Sequence, residues 1–181
     1  MTYYSPEDFP WAVDIADNWR AIRTEYEQLH DNMLMSWPES EIYEGGWEVF
    51  GLHAFGNVMH DNCDLCPVTT ELVRKIPDMT TSGFSVLKPG SHILPHTGYT
   101  DTVLRFHLGL IVPTGCAIQV GDTISPWVEG GCIIFDDTVE HEAWNSHDKI
   151  TRAILLVDFL KPDLLPKPME PYSIDFPPYD Y

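Results

Sequence analysis

Positive charge is what this sequence has least of: 10 Lys and Arg stand against 28 Asp and Glu, a formal net charge of −18. So acidic a chain repels phosphate backbones and anionic lipid, and it lacks the Lys and Arg contacts on which non-specific nucleic-acid binding is built. Nucleic acid and membrane are therefore not expected as partners. No apolar run approaches the ~20 residues of a spanning helix, and Met1 to Pro10 has neither the basic nor the apolar region of a secretory signal. A cytoplasmic location is the expectation. Cysteine is scarce as well: the four, at 63, 66, 116 and 132, give one Cys-x-x-Cys and two isolated residues. That is too few for a disulfide framework, and Cys116 and Cys132 are too widely spaced to complete a four-cysteine zinc site. Cys63 and Cys66 read as a thiol pair on a surface loop.

What is present describes an ordinary globular chain. With 181 residues and 44% hydrophobic content, one domain with one main core is expected, outside the range of intrinsic disorder. Residues 11 to 35 carry apolar side chains at three- and four-residue steps, from Trp11, Ile15 and Trp19 to Ile22, Tyr26, Leu29 and Met33, which predicts an amphipathic helix. From Gly45 the chain becomes a series of short apolar runs cut by Gly, Pro, Asp and Asn: 47–52, 83–87, 104–112, 117–120, 132–135 and 152–160, with a helical stretch at 69–75. That texture predicts a mainly β jelly roll or barrel with N-terminal helices packed alongside. The expected domain is 1–162, with a helical part at 1–44 and a strand-rich core at about 45–162, followed by a Pro- and aromatic-rich tail at 163–181.

Three segments carry chemistry. In Leu94-Pro95-His96-Thr97-Gly98 a histidine sits where a strand should end, and in Phe135-Asp136-Asp137-Thr138-Val139-Glu140-His141 another follows a buried strand. Imidazoles offered from two β elements suit a first-row metal in the mouth of a jelly roll, although a histidine near a strand end is also a common hydrogen-bonded structural residue. In Leu104-Arg105-Phe106-His107-Leu108 the period of two places Arg105 and His107 on one face and three apolar residues on the other. Such a pair inside a barrel requires an anion, whereas on an outward face it requires nothing. Arg152 opens the last apolar run and aims a second cation at the same region, which suggests a dicarboxylate pocket.

Taken in order, Pro89 to Gly98, Leu104 to Leu110 and Ile134 to Trp144 closely resemble the aspartyl/asparaginyl β-hydroxylase family of iron(II) and 2-oxoglutarate dependent dioxygenases. The resemblance implies a double-stranded β-helix. It implies His96 and His141 as the catalytic metal ligands, Arg105 and His107 at one end of 2-oxoglutarate, and Ser85 and Arg152 at its other carboxylate. It also implies Fe(II), 2-oxoglutarate and O2 as cofactor and co-substrates, and hydroxylation of an unactivated carbon, the β-carbon of an amino-acid residue. The substrate would be a peptide or small molecule, and 2-oxoglutarate would become succinate and CO2.

Two departures bear on that reading. The wider superfamily completes its metal site with a carboxylate two residues after the first histidine; Gly98 stands there, as in the animal aspartyl hydroxylases. Water or a nearby acid such as Asp101 would then complete the site. A vacant carboxylate position is also what iron halogenases show, which leaves halogenation as an alternative and a non-catalytic jelly-roll binding module as another. The second departure is on the substrate side, where family members place basic residues and this chain has Gly83 and Val103; Asp137 matches an acidic substrate-side residue. Trp127 and Trp144 are candidate pocket walls. The resemblance thus carries over the class of reaction, whereas the basic residues for an aspartyl target are replaced at positions 83 and 103.

Overall fold

The computed structural model describes residues 3–162; the tail at 163–181 lies outside the described residues. In chain order the strands begin with β1 (Tyr3–Tyr4), β2 (Met35–Ser36), β3 (Tyr43–Glu44), β4 (Trp47–Ala54), β5 (Asn57–Val58) and β6 (Met79–Leu87). They continue with β7 (Ser91–His96), β8 (Val103–Ile111), β9 (Cys116–Val120), β10 (Thr123–Pro126), β11 (Cys132–Asp136), β12 (His141–Asn145) and β13 (Arg152–Leu160). One sheet runs β1-β11-β8-β13-β6-β4-β2, with β5 also on β4, and the facing sheet runs β10-β9-β12-β7-β3. The molecule is mainly β, two antiparallel sheets folded over a shared interior.

The two central strands of the larger sheet explain the layering. In β13 the odd positions Ala153, Leu155, Val157 and Phe159 are buried toward the helices, while Arg152, Ile154, Leu156 and Asp158 are buried toward the interior between the sheets. β8 repeats the pattern, with Leu104, Phe106, Leu108 and Leu110 outward and Arg105 and His107 inward. Both faces are thus covered, one by helices and one by the second sheet, and fully burying each Leu or Phe is worth about 1.5–3 kcal/mol. The inner core is made of Trp47, Leu87, Ile93, Ile118, Phe135 and Ile154. No helix among the described residues is long and apolar enough to cross a membrane.

The single helix expected over 11–35 is instead two: α1 (Pro10–Asp17) and α2 (Trp19–Gln28). Asn18 separates them with φ −97° and ψ 8°, its side-chain Nδ2 donating to the Asp14 carbonyl at 2.8 Å. The break lets α1 bury Ala12 and Ile15 and α2 bury Ile22 on the same sheet face. Beyond Gln28 the chain continues as a 3-10 turn and the short edge strand β2, in which Met33 and Met35 remain exposed.

The Cys63–Cys66 segment also departs from expectation. It is not a surface loop: Cys63 is buried in α3 (His60–Leu65) and Cys66, fully buried, precedes α4 (Pro67–Val73). Both thiols are free, and burial pushes Cys66 up to about 12. α3 packs on β4, which places the pair in the core rather than in solvent.

The first turn of α4 is closed by a residue of another helix. The buried Glu25 of α2 accepts hydrogen bonds from Val68 N (2.7 Å), Thr69 N (2.8 Å) and Thr69 Oγ1 (2.6 Å). These are the backbone donors that a helix start leaves unpaired, and a carboxylate there also meets the positive end of the helix dipole. Glu25→Ala should therefore cost about 2 kcal/mol, at the scale of a buried charged hydrogen bond, read as a lower urea midpoint with an unchanged slope. Glu25→Gln, which keeps an acceptor oxygen, should cost less.

Candidate active site

The two histidines close the mouth of the interior. His96 ends β7 and His141 starts β12, and the antiparallel register makes them direct partners with ring centroids 4.3 Å apart. His96 Nδ1 lies 2.8 Å from the Leu94 carbonyl and His141 Nδ1 lies 2.8 Å from the Val139 carbonyl. A carbonyl oxygen only accepts, so both Nδ1 atoms carry the proton and both Nε2 atoms are left with a lone pair. This is the tautomer of a ligating imidazole oriented by its backbone. Burial, with Arg105 and His96 adding to it, pulls His141 down to about 3, so the ring stays neutral at physiological pH.

Among the described residues no group of three or more His, Cys, Asp or Glu is arranged to hold a metal ion. The site has two imidazoles and a glycine where a third ligand would stand, and the space beside that glycine is filled. A Cβ built on Gly98 runs into the carboxylate of Asp137 and lies 3.0 Å from the Asp137 carbonyl, to which Gly98 N donates at 2.7 Å. Asp137 is fully buried, with Oδ1 3.0 Å from Arg105 Nη1 and 3.3 Å from His141 Nε2. Asp101, the acid expected to approach this position, is exposed.

Behind the histidines lies a buried polar cavity. Ser85, Arg105, His107 and Arg152 line it together with His96 and His141, among Trp47, Trp127, Phe135, Ile154 and Leu156. The inward reading of the Arg105–His107 face therefore holds. Arg105 is held bidentately by Asp158, Nε to Oδ1 at 2.8 Å and Nη2 to Oδ2 at 3.0 Å. Although burial opposes its charge, Asp137 and Asp158 together raise its pKa above the usual arginine value.

Arg152 is the opposite case. It is 1% exposed, its Nε has no hydrogen-bond partner, and its guanidinium stacks over Trp127 at 4.8 Å. Burial pulls it down to about 10. Both ring nitrogens of His107 are likewise buried and unpartnered, and burial followed by the two arginines pulls this ring well below its ordinary pKa. Ser85 Oγ accepts from Trp47 Nε1 at 3.0 Å, which leaves its own proton to donate. An unpaired buried cation, an unpaired imidazole and a free hydroxyl donor form an incomplete set that an anion with two acceptor ends would complete.

Some expected residues are placed elsewhere. Trp144 does not reach this cavity: counting by two from His141, Ala143 faces inward while Glu142 and Trp144 face out, beside His92. Val103 is buried at the start of β8 on the face shared with Arg105, outside the cavity lining. Two contributors were not foreseen. Asp158 carried a signal, a carboxylate in the middle of the apolar run Ala153 to Leu160; Trp47 carried none.

The fold and the site define a double-stranded β-helix protein with two facing histidines at the mouth of a buried polar cavity. The chain belongs to the aspartyl/asparaginyl β-hydroxylase family, whose sequence pattern matches residues 16–162. It is 42% identical over 170 residues to the ornithine lipid ester-linked acyl 2-hydroxylase of Rhizobium tropici, covering 88% of this chain and 60% of that protein. It is 36% identical over 159 residues to the human aspartyl/asparaginyl β-hydroxylase, covering 83% of this chain and 21% of that protein. The chain thus spans less than two thirds of either relative. In structure it is similar to a Pseudomonas putida prolyl-4-hydroxylase, with a TM-score of 0.55 at 17% identity over 81% of this chain and 87% of the other. A predicted oxalate decarboxylase from Thermotoga maritima gives 0.51 at 15% identity, covering 71% and 93%. Both likenesses concern the fold.

The Gly98–Asp137 contact is testable. Gly98→Ala should lower stability by about 1–3 kcal/mol, the range of overpacking, whereas the same substitution in an Asp137→Gly background should cost far less. Thermal unfolding of the four proteins of this cycle measures the coupling.

Proposed function

We propose that this chain is an iron(II)- and 2-oxoglutarate-dependent hydroxylase that converts an aliphatic C–H into C–OH. The observation that carries this reading is Arg152, a buried guanidinium with no carboxylate at ion-pair distance among the described residues, facing the cavity that the two histidines close. The family supports hydroxylation, and the donor set fits the cofactors: two neutral Nε2 atoms for iron(II), and Arg152, Ser85 and His107 for a dicarboxylate.

Each residue has a definite task. Arg152 and the Ser85 hydroxyl would bind the distal carboxylate of 2-oxoglutarate, offsetting the desolvation of the cation. His107, beside the Arg105 side chain that Asp158 and Asp137 hold in place, would hold the end nearer the metal. His96 and His141 would hold iron, which with 2-oxoglutarate and O2 supplies the oxidising chemistry, one oxygen atom leaving in succinate and the other in the product hydroxyl while CO2 is lost. Trp47, Trp127, Phe135 and Ile154 exclude water from the cavity.

Two other readings fare worse. A halogenase needs the place of the missing carboxylate open to a halide ion, and here Asp137 occupies it. A non-catalytic binding module would use Arg152 to hold an anion equally well, but it has no need of two facing imidazoles at the mouth of the same cavity.

Anaerobic addition of iron(II) and 2-oxoglutarate should give a weak visible metal-to-ligand absorption band, absent in His96→Ala and His141→Ala. Arg152→Ala should keep the iron but raise the 2-oxoglutarate concentration for half-saturation about 30-fold, as expected for about 2 kcal/mol of a buried charged contact. A folded protein that shows no band and forms no succinate in air is not this enzyme.

A further inference from the structure

We propose that Trp127 is a further binding residue of this site, its indole N–H donating a hydrogen bond to the carboxylate that Arg152 and Ser85 hold at the deep end of the cavity. The proposal rests on the hydroxylase reading above and adds a third donor to its dicarboxylate pocket.

A glycine gives Trp127 its place in the interior. Arg105, His107 and Gly109 follow one another along the inward face of β8, and a Cβ at Gly109 would strike the Val128 carbonyl. With no side chain there, the segment 127–131 lies directly on the strand: Gly130 N donates to the Gly109 carbonyl at 2.8 Å, and Gly109 N to the Gly131 carbonyl at 3.1 Å. The other side of the segment is held by α2. Trp19 packs against Gly130, 2.8 Å from a Cβ built there, and Glu129 meets Arg23 at 3.1 Å while accepting from Val112 N at 3.3 Å. Trp127 is thereby fixed beside His107, ring centroids 5.9 Å apart, with the Arg152 guanidinium 4.8 Å from the centroid of its ring and only 4% of its own surface exposed.

Two indoles line the cavity, and they differ in what their N–H groups meet. Trp47 Nε1 is spent inside the fold, on Ser85 Oγ at 3.0 Å. Trp127 Nε1 is buried with no hydrogen-bond partner among the described residues. An indole N–H can only donate, and one left unpaired away from water carries the desolvation cost of a polar group with nothing gained in return. Arg152 Nε is unpaired in the same way, and Ser85 has its own proton to give. Register places Ser85 opposite Ile154, two residues from Arg152, so the hydroxyl, the guanidinium and the indole serve one end of the cavity, and none of the residues lining it carries a carboxylate. A carboxylate offers about four acceptor positions. Three donors, one of them charged, match such a group, whereas a methyl group in its place would leave all three unpaired. The ring itself supports the guanidinium through its π face, so Trp127 orients the cation and shares the cation's ligand.

The test uses the full chain with iron(II) under anaerobic conditions and reads ligand affinity by calorimetry, without turnover. Trp127 is replaced by 3-benzothienylalanine, an isostere in which sulfur takes the place of the N–H while size and ring face are kept, and separately by phenylalanine in Trp127→Phe. Two ligands are compared: 2-oxoglutarate, and 2-oxopentanoate, in which a methyl group stands in place of the distal carboxylate. The isostere should bind 2-oxoglutarate about tenfold more weakly than the wild type, the scale of a hydrogen bond to a charged group, and should bind 2-oxopentanoate as the wild type does. Trp127→Phe should weaken 2-oxoglutarate at least as much, and an unchanged thermal midpoint of the isostere shows that the fold is intact. An isostere that binds 2-oxoglutarate like the wild type overturns the proposal and makes Trp127 a packing surface only. Equal weakening of both ligands also overturns it, because the N–H then does not act on the distal carboxylate. If the wild type itself fails to bind 2-oxoglutarate, or binds 2-oxopentanoate equally well, it is the dicarboxylate pocket of the hydroxylase reading that has failed.

Discussion

A charge buried without a partner is costly, and the interior of this protein is organised around that cost. Two arginines project from the central strands into the space between the sheets. Arg105 is held by Asp158 and Asp137 inside the protein. Arg152, six residues before Asp158 on the same strand, is stacked on Trp127 and has no such anion among the described residues. A buried cation is stable only if something supplies the opposite charge; inside the fold that charge is supplied to Arg105, and on the proposed reading a bound dicarboxylate supplies it to Arg152. The alternation that sends Leu155 and Val157 to the helices is also what sends Arg152 and Asp158 to the site, so packing and function are set by one strand.

Asp137 ties the two histidines to that arrangement. It lies four residues before His141, contacts Arg105, and fills the volume that a side chain at Gly98 would need. The missing third ligand is therefore an exchange of positions: the carboxylate approaches from the β11–β12 connection, and the β7 end is reduced to a glycine so that it can.

The strand pattern was largely legible because alternation and short apolar runs survive in any environment. Strands at 47–54 and 79–87 extend the expected runs by a few residues, 103–111 is shifted by one, and 152–160 coincides with its run. The helix expected over 11–35 breaks at Asn18 and ends at Gln28, both weak signals beside a continuous apolar stripe. Cys63 and Cys66 looked exposed because polar residues surround them in sequence, yet α3 turns both thiols inward. Trp144 was assigned to the pocket on proximity to His141, and the period of two places it on the opposite face.

By itself the sequence determined the order of the motifs, the residue types that could ligate a metal, and the placing of Arg105 and His107 on a single strand face. These are local properties, fixed by spacing and by backbone periodicity. Only the tertiary structure decided which of those residues are satisfied. Asp158 meets Arg105 because β13 pairs with β8 in one particular register, and Gly98 faces Asp137 because two loops converge across the mouth. Partnering between residues 53 positions apart leaves no trace in spacing, and it is partnering that separates the arginine the fold consumes from the arginine it keeps for a ligand.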